Sequence, residues 1–391
     1  MSIWRGLSIV CLAMFASCAS TSLTPVNKSG NFEIQEDERR IWARSKEEQV
    51  VLDRSGYIYE DSLLTDYVNG VVRRLRPPAS SQATLVFQAK IIKNPLLNAF
   101  AYPNGVMYIH TGIISKMDNE AQLATVLAHE MSHAIYRHAV VSMHNIQNTS
   151  GFLSVLQIAT LPFGVFGSLA SLLGNIGGMA AVTGYSRELE WEADTSGLGM
   201  MVESGYDVRE APKVFITMKR DLDEQKTDEP FFFGSHPRLQ DRIDNYTSLV
   251  TGRYSSALST MGTERFDGMI AGLLLDNASL DLSMGRTGSA ARSMQRVLKV
   301  DSLNARAYFM LGECYRLRAG KANVDTAEKH YERAMACDSL FPPPYKAKGL
   351  ILYKRGEKEA ASEAFEDYLR LSPQADDRKY IEQYINEMKK R

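Results

Sequence analysis

The sequence carries almost no excess charge: 45 lysines and arginines stand against 46 aspartates and glutamates, a formal net charge of -1 at pH 7. So even a balance gives no case for a nucleic-acid partner and none for a generally basic membrane-binding surface. Cysteine is scarce, with 4 in 391 residues, and Cys11 and Cys18 fall in the N-terminal segment. That leaves Cys314 and Cys337, which an oxidising compartment could bridge, or which remain two buried free thiols within one helical repeat. Long uninterrupted apolar runs are missing too. Leu7 to Ala16, behind Arg5, is too short to span a bilayer and reads as the centre of a signal peptide. Phe152 to Leu173 is longer, but Gln157, Pro162, Gly164 and Gly167 break it, and Gly174 and Gly177-Gly178 follow. At 391 residues the chain has room for two or three domains with an ample core.

What is present is one chemically pointed stretch. Ala128-His129-Glu130-Met131-Ser132-His133, inside the run Leu123 to His138, reads H-E-x-x-H. On a helix, positions i and i+4 sit one above the other, so His129 and His133 present two imidazoles from one face. Imidazole binds Zn²⁺ at about 2.0–2.1 Å, and two such ligands one turn apart reach a single ion. Glu130 stands where a carboxylate takes a proton from water at the metal, as general base. Asp118 or Asn119 can cap the helix, Glu120 suits its first turn, and Leu123, Leu127 and Ile135 give it an apolar face. His138 lies nine residues after His129, about half a turn round a continuous helix, which points it away from the metal as a structural or exposed residue. Tyr136 occupies the position where three-histidine metalloproteases carry a glycine.

A catalytic zinc takes three protein ligands and keeps one position open. The stretch Tyr185 to Asp194 (Tyr-Ser-Arg-Glu-Leu-Glu-Trp-Glu-Ala-Asp) supplies candidates. Glu190 and Asp194 share one helix face, whereas Glu188 and Glu192 fall on roughly the opposite one. H-E-x-x-H followed far downstream by S-R-x-x-E-x-x-A-D resembles the zinc metallopeptidase family of the CAAX prenyl endoproteases and the HtpX-type proteases. That resemblance makes Glu190 the third metal ligand and Asp194 the carboxylate behind the ligands. It also implies an α+β fold, a mostly helical gluzincin-type zincin domain with a small β-hairpin or sheet.

The resemblance covers about Phe32 to Val250, and the residues before it carry signals of their own. Phe15-Ala16-Ser17-Cys18 looks like a bacterial lipobox with Phe15 in place of the usual Leu, so residues 1–18 form a lipoprotein signal peptide and Cys18 becomes the lipidated first residue. Ala19, which is not Asp, suggests the outer membrane by resemblance to Gram-negative lipoproteins; ordinary cleavage nearby, giving a soluble periplasmic protein, is the alternative. Residues 19–31 form a tether and 32–250 the metallopeptidase domain. Its pattern predicts helices over Phe32 to Gln49 and Tyr57 to Leu75, the second stopped by Pro77-Pro78. A strand over Thr84 to Ile92 follows, then a hairpin from Asn98 to His110 turning at Pro103-Asn104-Gly105. In peptidases of this class an edge strand near the H-E-x-x-H helix pairs with extended substrate; an ordinary hairpin covering the helix fits the residues equally. No charged residue occurs from Asn145 to Ser186. Because His133 and Glu190 must meet at one metal, this segment leaves and returns on one side, as a mobile apolar lid or as a pair of membrane spans. Downstream, Ser235-His236-Pro237 recurs in the family near the active site. His236 there stabilises the oxyanion or occupies the open metal position at rest, or else Ser235 simply caps a helix begun by Pro237.

Residues 270–391 read as an all-α tetratricopeptide-repeat domain. Tyr308-x-x-x-Gly312-x-x-Tyr315 matches Tyr345-x-x-x-Gly349-x-x-Leu352, 37 residues on. Ala327, Tyr331 and Ala334 match Ala361, Phe365 and Tyr368, and Ala290, Met294 and Val297 fill the same slots in an earlier, degenerate copy. The polar final helix fits a cap. Stacked repeats form a concave surface for a peptide or partner and bury their own core, so the tail is expected to fold apart from the protease domain. The family's soluble periplasmic branch carries such repeats. The resemblance therefore implies a zinc metalloendopeptidase of the bacterial envelope that degrades misfolded or misassembled periplasmic and outer-membrane proteins. Its repeats would recruit substrate or the outer-membrane assembly machinery. The rival reading is a chaperone or scaffold that acts through its repeats with a latent protease activity.

Overall fold

The computed structural model describes residues 25, 34, 36–76, 85–147, 185–225, 239–254, 260–318 and 320–389. The signal segment with Cys18, the tether apart from Pro25, the uncharged stretch 148–184 and the segment containing His236 lie outside the described residues.

A three-stranded sheet forms the floor of the N-terminal domain: β1 (Gln88–Ile92), β2 (Ala99–Ala101) and β3 (Val106–His110), in the order β1-β3-β2. β2 and β3 form the expected antiparallel hairpin, while β1 lies parallel to β3 with Ile91 opposite Ile109. Helix α1 (Glu36–Asp53) covers one face, where Leu52 joins Ile92, Phe100, Tyr102, Val106 and Tyr108 in a small core. Ala89, Ile91, Ala99, Ala101, Met107 and Ile109 point to the other face and enter the main core. Alternate residues of a strand face opposite sides, so a sheet covered on both faces buries every residue of β3.

Two expected elements are shorter than their patterns. The helix expected from Tyr57 begins at Ser62 (α2, Ser62–Leu75), capped by Asp61, whose carboxylate accepts from the Leu64 N–H at 2.9 Å. Tyr57 to Tyr59 are instead paired with the β1 edge, Tyr59 N–H to Ile91 O at 2.8 Å and Lys93 N–H to Tyr57 O at 2.7 Å. The strand expected from Thr84 is regular only from Gln88. At Tyr57–Tyr59 a free sheet edge competes successfully with local periodicity for the backbone hydrogen bonds.

The H-E-x-x-H helix, α4 (Glu120–Ile135), follows the short α3 (Thr111–Ile114), and every one of its residues is buried. Asn119 caps it, accepting from Gln122 N–H at 3.0 Å. Its first acid is clamped: Glu120 accepts from Tyr67 at 2.5 Å, Arg74 at 2.6 Å and Tyr206 at 2.8 Å. Then come α5 (His138–Gln147), α6 (Arg187–Glu203), a 3-10 turn Val208–Glu210, α7 (Ala211–Gln225) and α8 (Leu239–Arg253). Among the described residues, no helix is long and apolar enough to cross a membrane.

The C-terminal third is a stack of helix pairs: α9 (Thr263–Ser283) with α10 (Thr287–Val300), α11 (Ala305–Leu317) with α12 (Lys321–Cys337), α13 (Pro343–Arg355) with α14 (Lys358–Leu371), and α15 (Arg378–Lys389) as a cap. The repeat register read in the sequence holds, since Ala327, Tyr331, Ala334, Ala361, Phe365 and Tyr368 are all buried. A side chain at Gly312 would strike the Tyr331 ring and one at Gly349 the Phe365 ring, so glycine is required at both equivalent crossings. Cys314 and Cys337 are free thiols, Cys314 fully buried.

The expected independence of this tail does not hold at its start. Phe266, Ile270, Leu273, Leu274, Ala290 and Met294 belong to one continuous core with Leu123, Leu127 and Met131 of α4. A buried polar seam adds to it: Thr111 donates to Asn277 at 2.9 Å, Arg286 to the Pro95 carbonyl at 3.1 Å, and Lys116 lies 3.8 Å from the Asp281 carboxylate. Helix α9 is amphipathic toward the protease domain as well as toward its repeat neighbours, and that second face joins the units.

Candidate metal centre

Three donors expected to act together converge below the sheet. His129 Nε2 lies 2.9 Å from His133 Nε2. Each of these nitrogens lies 3.5 Å from an oxygen of Glu190, on the neighbouring helix α6. All three residues are buried, with relative exposures of 1–2%. Ligands at about 2.0–2.2 Å from a tetrahedral zinc stand roughly 3.3 Å apart, which is the spread seen here. The charges make the same point. Two imidazole lone pairs and a carboxylate pointed at one another in a dry site repel, and a cation between them removes that repulsion. The donor set and its spacing thus fit a metal ion.

The second helix reaches the first through its capped start. Ser186 accepts from the Leu189 N–H at 3.4 Å, and the turn that follows carries Glu190 and Asp194 on one buried face. Asp194 Oδ1 lies 2.8 Å from His129 Nδ1. With Nε2 turned to the donor cluster, the His129 proton sits on Nδ1 and is donated to that oxygen, fixing tautomer and ring plane. Glu130, one residue on, is buried at 2% exposure. Tyr185 stacks on His133 with ring centroids 4.0 Å apart and planes at 15°. Burial, with help from the nearby Glu130 and Glu190 carboxylates, pushes its hydroxyl far above the ordinary tyrosine range, so it remains a protonated donor beside both acids.

Three contributors escaped the sequence reading. Arg242, on α8, donates to Asp194 Oδ1 at 2.6 Å, and Asn245 donates to Asp194 Oδ2 at 2.8 Å. Arg242 Nη2 is also 2.9 Å from His129 Nδ1. A guanidinium has no lone pair to offer, so the two nitrogens are neighbours because they share the Asp194 oxygen. The Phe215 ring lies 4.3 Å from the guanidinium carbon, and the nearby Asp194, Tyr246 and Glu190 keep Arg242 charged against the opposing effect of burial. The sequence offers two arginines after Ser-His-Pro, Arg238 and Arg242, and nothing local marks the second as buried.

The third is His138, which is neither turned away nor exposed. The helix ends at Ile135, and Arg137 adopts a left-handed backbone with φ 57°. That turn starts α5 and brings His138, buried at 1% exposure, back to His133: the two Nδ1 atoms are 2.8 Å apart. Its Nε2 is 3.2 Å from Glu192 Oε2: Glu192 stays solvent-exposed, off the buried Glu190 and Asp194 face as expected, but its carboxylate reaches His138 at the edge of the site. Burial lowers His138 to about 4, leaving the ring neutral at physiological pH. Extrapolating one helix through Arg137 misplaced it, because a single left-handed residue resets the angular register. Glu188 stays exposed, as expected.

This chain matches peptidase family M48 over residues 62–250 and a tetratricopeptide repeat over residues 275–340. It therefore carries a family M48 peptidase domain followed by tetratricopeptide repeats. The beta-barrel assembly-enhancing protease of Escherichia coli K12 is 31% identical over 201 residues, covering 48% of this chain and 39% of that protein. The protein of the same name from Yersinia pestis is 29% identical over 189 residues, 47% of this chain and 38% of its own length. The mitochondrial metalloendopeptidase OMA1 of Schizosaccharomyces pombe is 31% identical over 180 residues, 46% of this chain and 51% of that protein. The match thus spans less than two fifths of the two bacterial relatives and about half of the yeast one.

Proposed function

We propose, for a chain that joins a family M48 peptidase domain to tetratricopeptide repeats, that it is a zinc metalloendopeptidase of the bacterial envelope. The observation that carries this reading is the buried convergence of His129 Nε2, His133 Nε2 and Glu190, with Glu130 on the same helix. His129, His133 and Glu190 would hold one Zn²⁺; the ion, when bound, supplies Lewis acidity toward the scissile carbonyl and makes a water easier to deprotonate. Glu130 takes the proton from the attacking water and passes it to the leaving amine. Asp194 orients His129. The Tyr185 hydroxyl, still protonated, donates toward charge developing on the carbonyl oxygen, a task that His236 shares.

Substrate is held in extended form along β2. Asn98 and Tyr102 spend their backbone bonds on His110 and Val106 of β3, so the alternating antiparallel pattern directs the N–H and C=O groups of Ala99 and Ala101 to the opposite edge. That edge adjoins α4, at the right place to add a substrate strand. The repeats recruit protein substrates or the outer-membrane assembly machinery, and the relatives' name, beta-barrel assembly-enhancing protease, supports substrates of that class. A lipid on Cys18 would anchor the protein to the periplasmic side of the outer membrane. The test compares wild type with Glu130→Gln in zinc content and in cleavage of an unfolded protein. The variant should keep its zinc and lose nearly all cleavage. Undiminished cleavage would defeat the mechanism and favour the rival reading, a repeat-based chaperone or scaffold.

A further inference from the structure

We propose that His138 is the positioning residue of His133: its Nδ1 accepts the Nδ1–H of the metal-facing imidazole, and its own Nε2–H is held by Glu192. The inference rests on His133 being a zinc ligand, as proposed above.

The hydrogen positions follow from the surroundings. His133 Nε2 faces His129 Nε2 and the Glu190 carboxylate, so it keeps its lone pair for a metal and its proton sits on Nδ1. That N–H lies 2.8 Å from His138 Nδ1, which therefore accepts. His138 then carries its proton on Nε2, where Glu192 Oε2 waits at 3.2 Å. The opposite tautomers fail twice. They set a bare His138 Nε2 against a carboxylate, and they aim a proton from His133 into the donor cluster. Only one assignment satisfies the whole chain from Glu192 to the metal face of His133.

The route by which His138 arrives is itself held in place. Arg137 takes a left-handed backbone conformation that arginine rarely adopts, and such a turn persists when its surroundings fix it. Glu38, buried on α1, pairs with the Arg137 guanidinium through both carboxylate oxygens. The Val140 N–H bonds back to the Arg137 carbonyl at 3.0 Å. Asp194 orients His129 directly; for His133 the partner is an imidazole with its carboxylate one step further away. The two ligands are thus held by different devices on α6 and α5.

The experiment measures Zn²⁺ dissociation constants by chelator competition, using the full chain and the variants His138→Leu, His138→Asn and Glu192→Gln. Apo-protein melting and the visible absorption of the Co²⁺-substituted forms are followed alongside. His138→Leu should bind zinc roughly 10–100-fold more weakly, the range for removal of a ligand's hydrogen-bond partner, and should shift the Co²⁺ spectrum. His138→Asn puts an amide oxygen where Nδ1 stood and should restore most of the affinity and the spectrum. Glu192→Gln, which can still accept from Nε2–H, should fall between wild type and His138→Leu. Wild-type affinity in His138→Leu would overturn the inference. So would equal losses in the Leu and Asn variants tracking a loss of apo stability, which is a merely structural role. If wild type binds no zinc, or His133→Ala binds it as well as wild type does, the metal reading itself is overturned, and this inference with it.

Discussion

Gly197 lies against the backbone of His129. A Cβ at Gly197 would stand 3.2 Å from the His129 nitrogen and 3.3 Å from the carbonyl carbon of Ala128. Gly197 sits on the same face of α6 as Glu190 and Asp194, so this contact sets how near the acid-bearing helix comes to the histidine-bearing one. Neither backbone can yield as a flexible side chain would.

Gly197→Ala should therefore weaken zinc binding without removing a single donor. Overpacking of this kind costs typically about 1–3 kcal/mol of stability. Chelator competition and denaturant unfolding read the two effects, and unchanged values in both would mean that the helices have slack.

Arg242 compensates a buried acid. Removing one partner of a buried ion pair costs about 3–5 kcal/mol, because the remaining charge stays desolvated. Arg242→Met should show a loss of that order in urea unfolding, together with weaker zinc binding as Asp194 loses its hold. Adding Asp194→Asn should recover part of the stability but not the zinc affinity. Independent, additive effects of the two substitutions would contradict the pairing.

Glu190→Gln should reduce zinc retention strongly, and Asp194→Asn less, by about 10–100-fold. Glu188→Gln should leave it unchanged, since that side chain is exposed on the far face. Equal sensitivity at Glu188 would show that the face of α6 has been misassigned.

A chain ending near Tyr254 should fail to fold, whereas one ending near Phe341 should keep its zinc. The short form loses Phe266, Ile270, Leu273 and Leu274 from the protease core. Each such side chain stabilises by about 1.5–3 kcal/mol, and four together rival the whole stability of a domain. Helices α14 and α15, by contrast, share a separate core centred on Phe365, Tyr368 and Ile381. Circular dichroism melts and zinc content distinguish the outcomes.

His110 is pulled by burial from 6.5 to about 4, and among the described residues neither of its ring nitrogens has a hydrogen-bond partner to favour the charged form. Between those values the unfolded chain binds a proton that the folded one refuses, so stability falls as pH drops from about 6.5 and this contribution levels off below about 4. His110→Gln should flatten that limb by up to one proton in urea titrations run at successive pH values. Parallel curves for the two proteins would mean that His110 titrates normally in the fold.

The sequence alone determined what depends on short spacing. Two histidines four residues apart, Glu190 and Asp194 on one face, a hairpin around Pro103-Asn104-Gly105 and a 37-residue repeat register are all readable because helix, turn and repeat geometry translate local separation directly into direction. Tertiary structure decided the rest. The parallel pairing of β1 with β3 and the diversion of Tyr57–Tyr59 to a sheet edge are settled by which backbone groups find partners at a distance. Arg242 reaches Asp194 across 48 positions of chain, and α9 shares the core of a domain whose pattern ends before it. His138 marks the boundary between the two kinds of information. It follows His133 by only five residues, yet one left-handed backbone at Arg137, stabilised by Glu38 from a helix 99 positions earlier, turns it from the far side of the helix onto the metal-facing histidine.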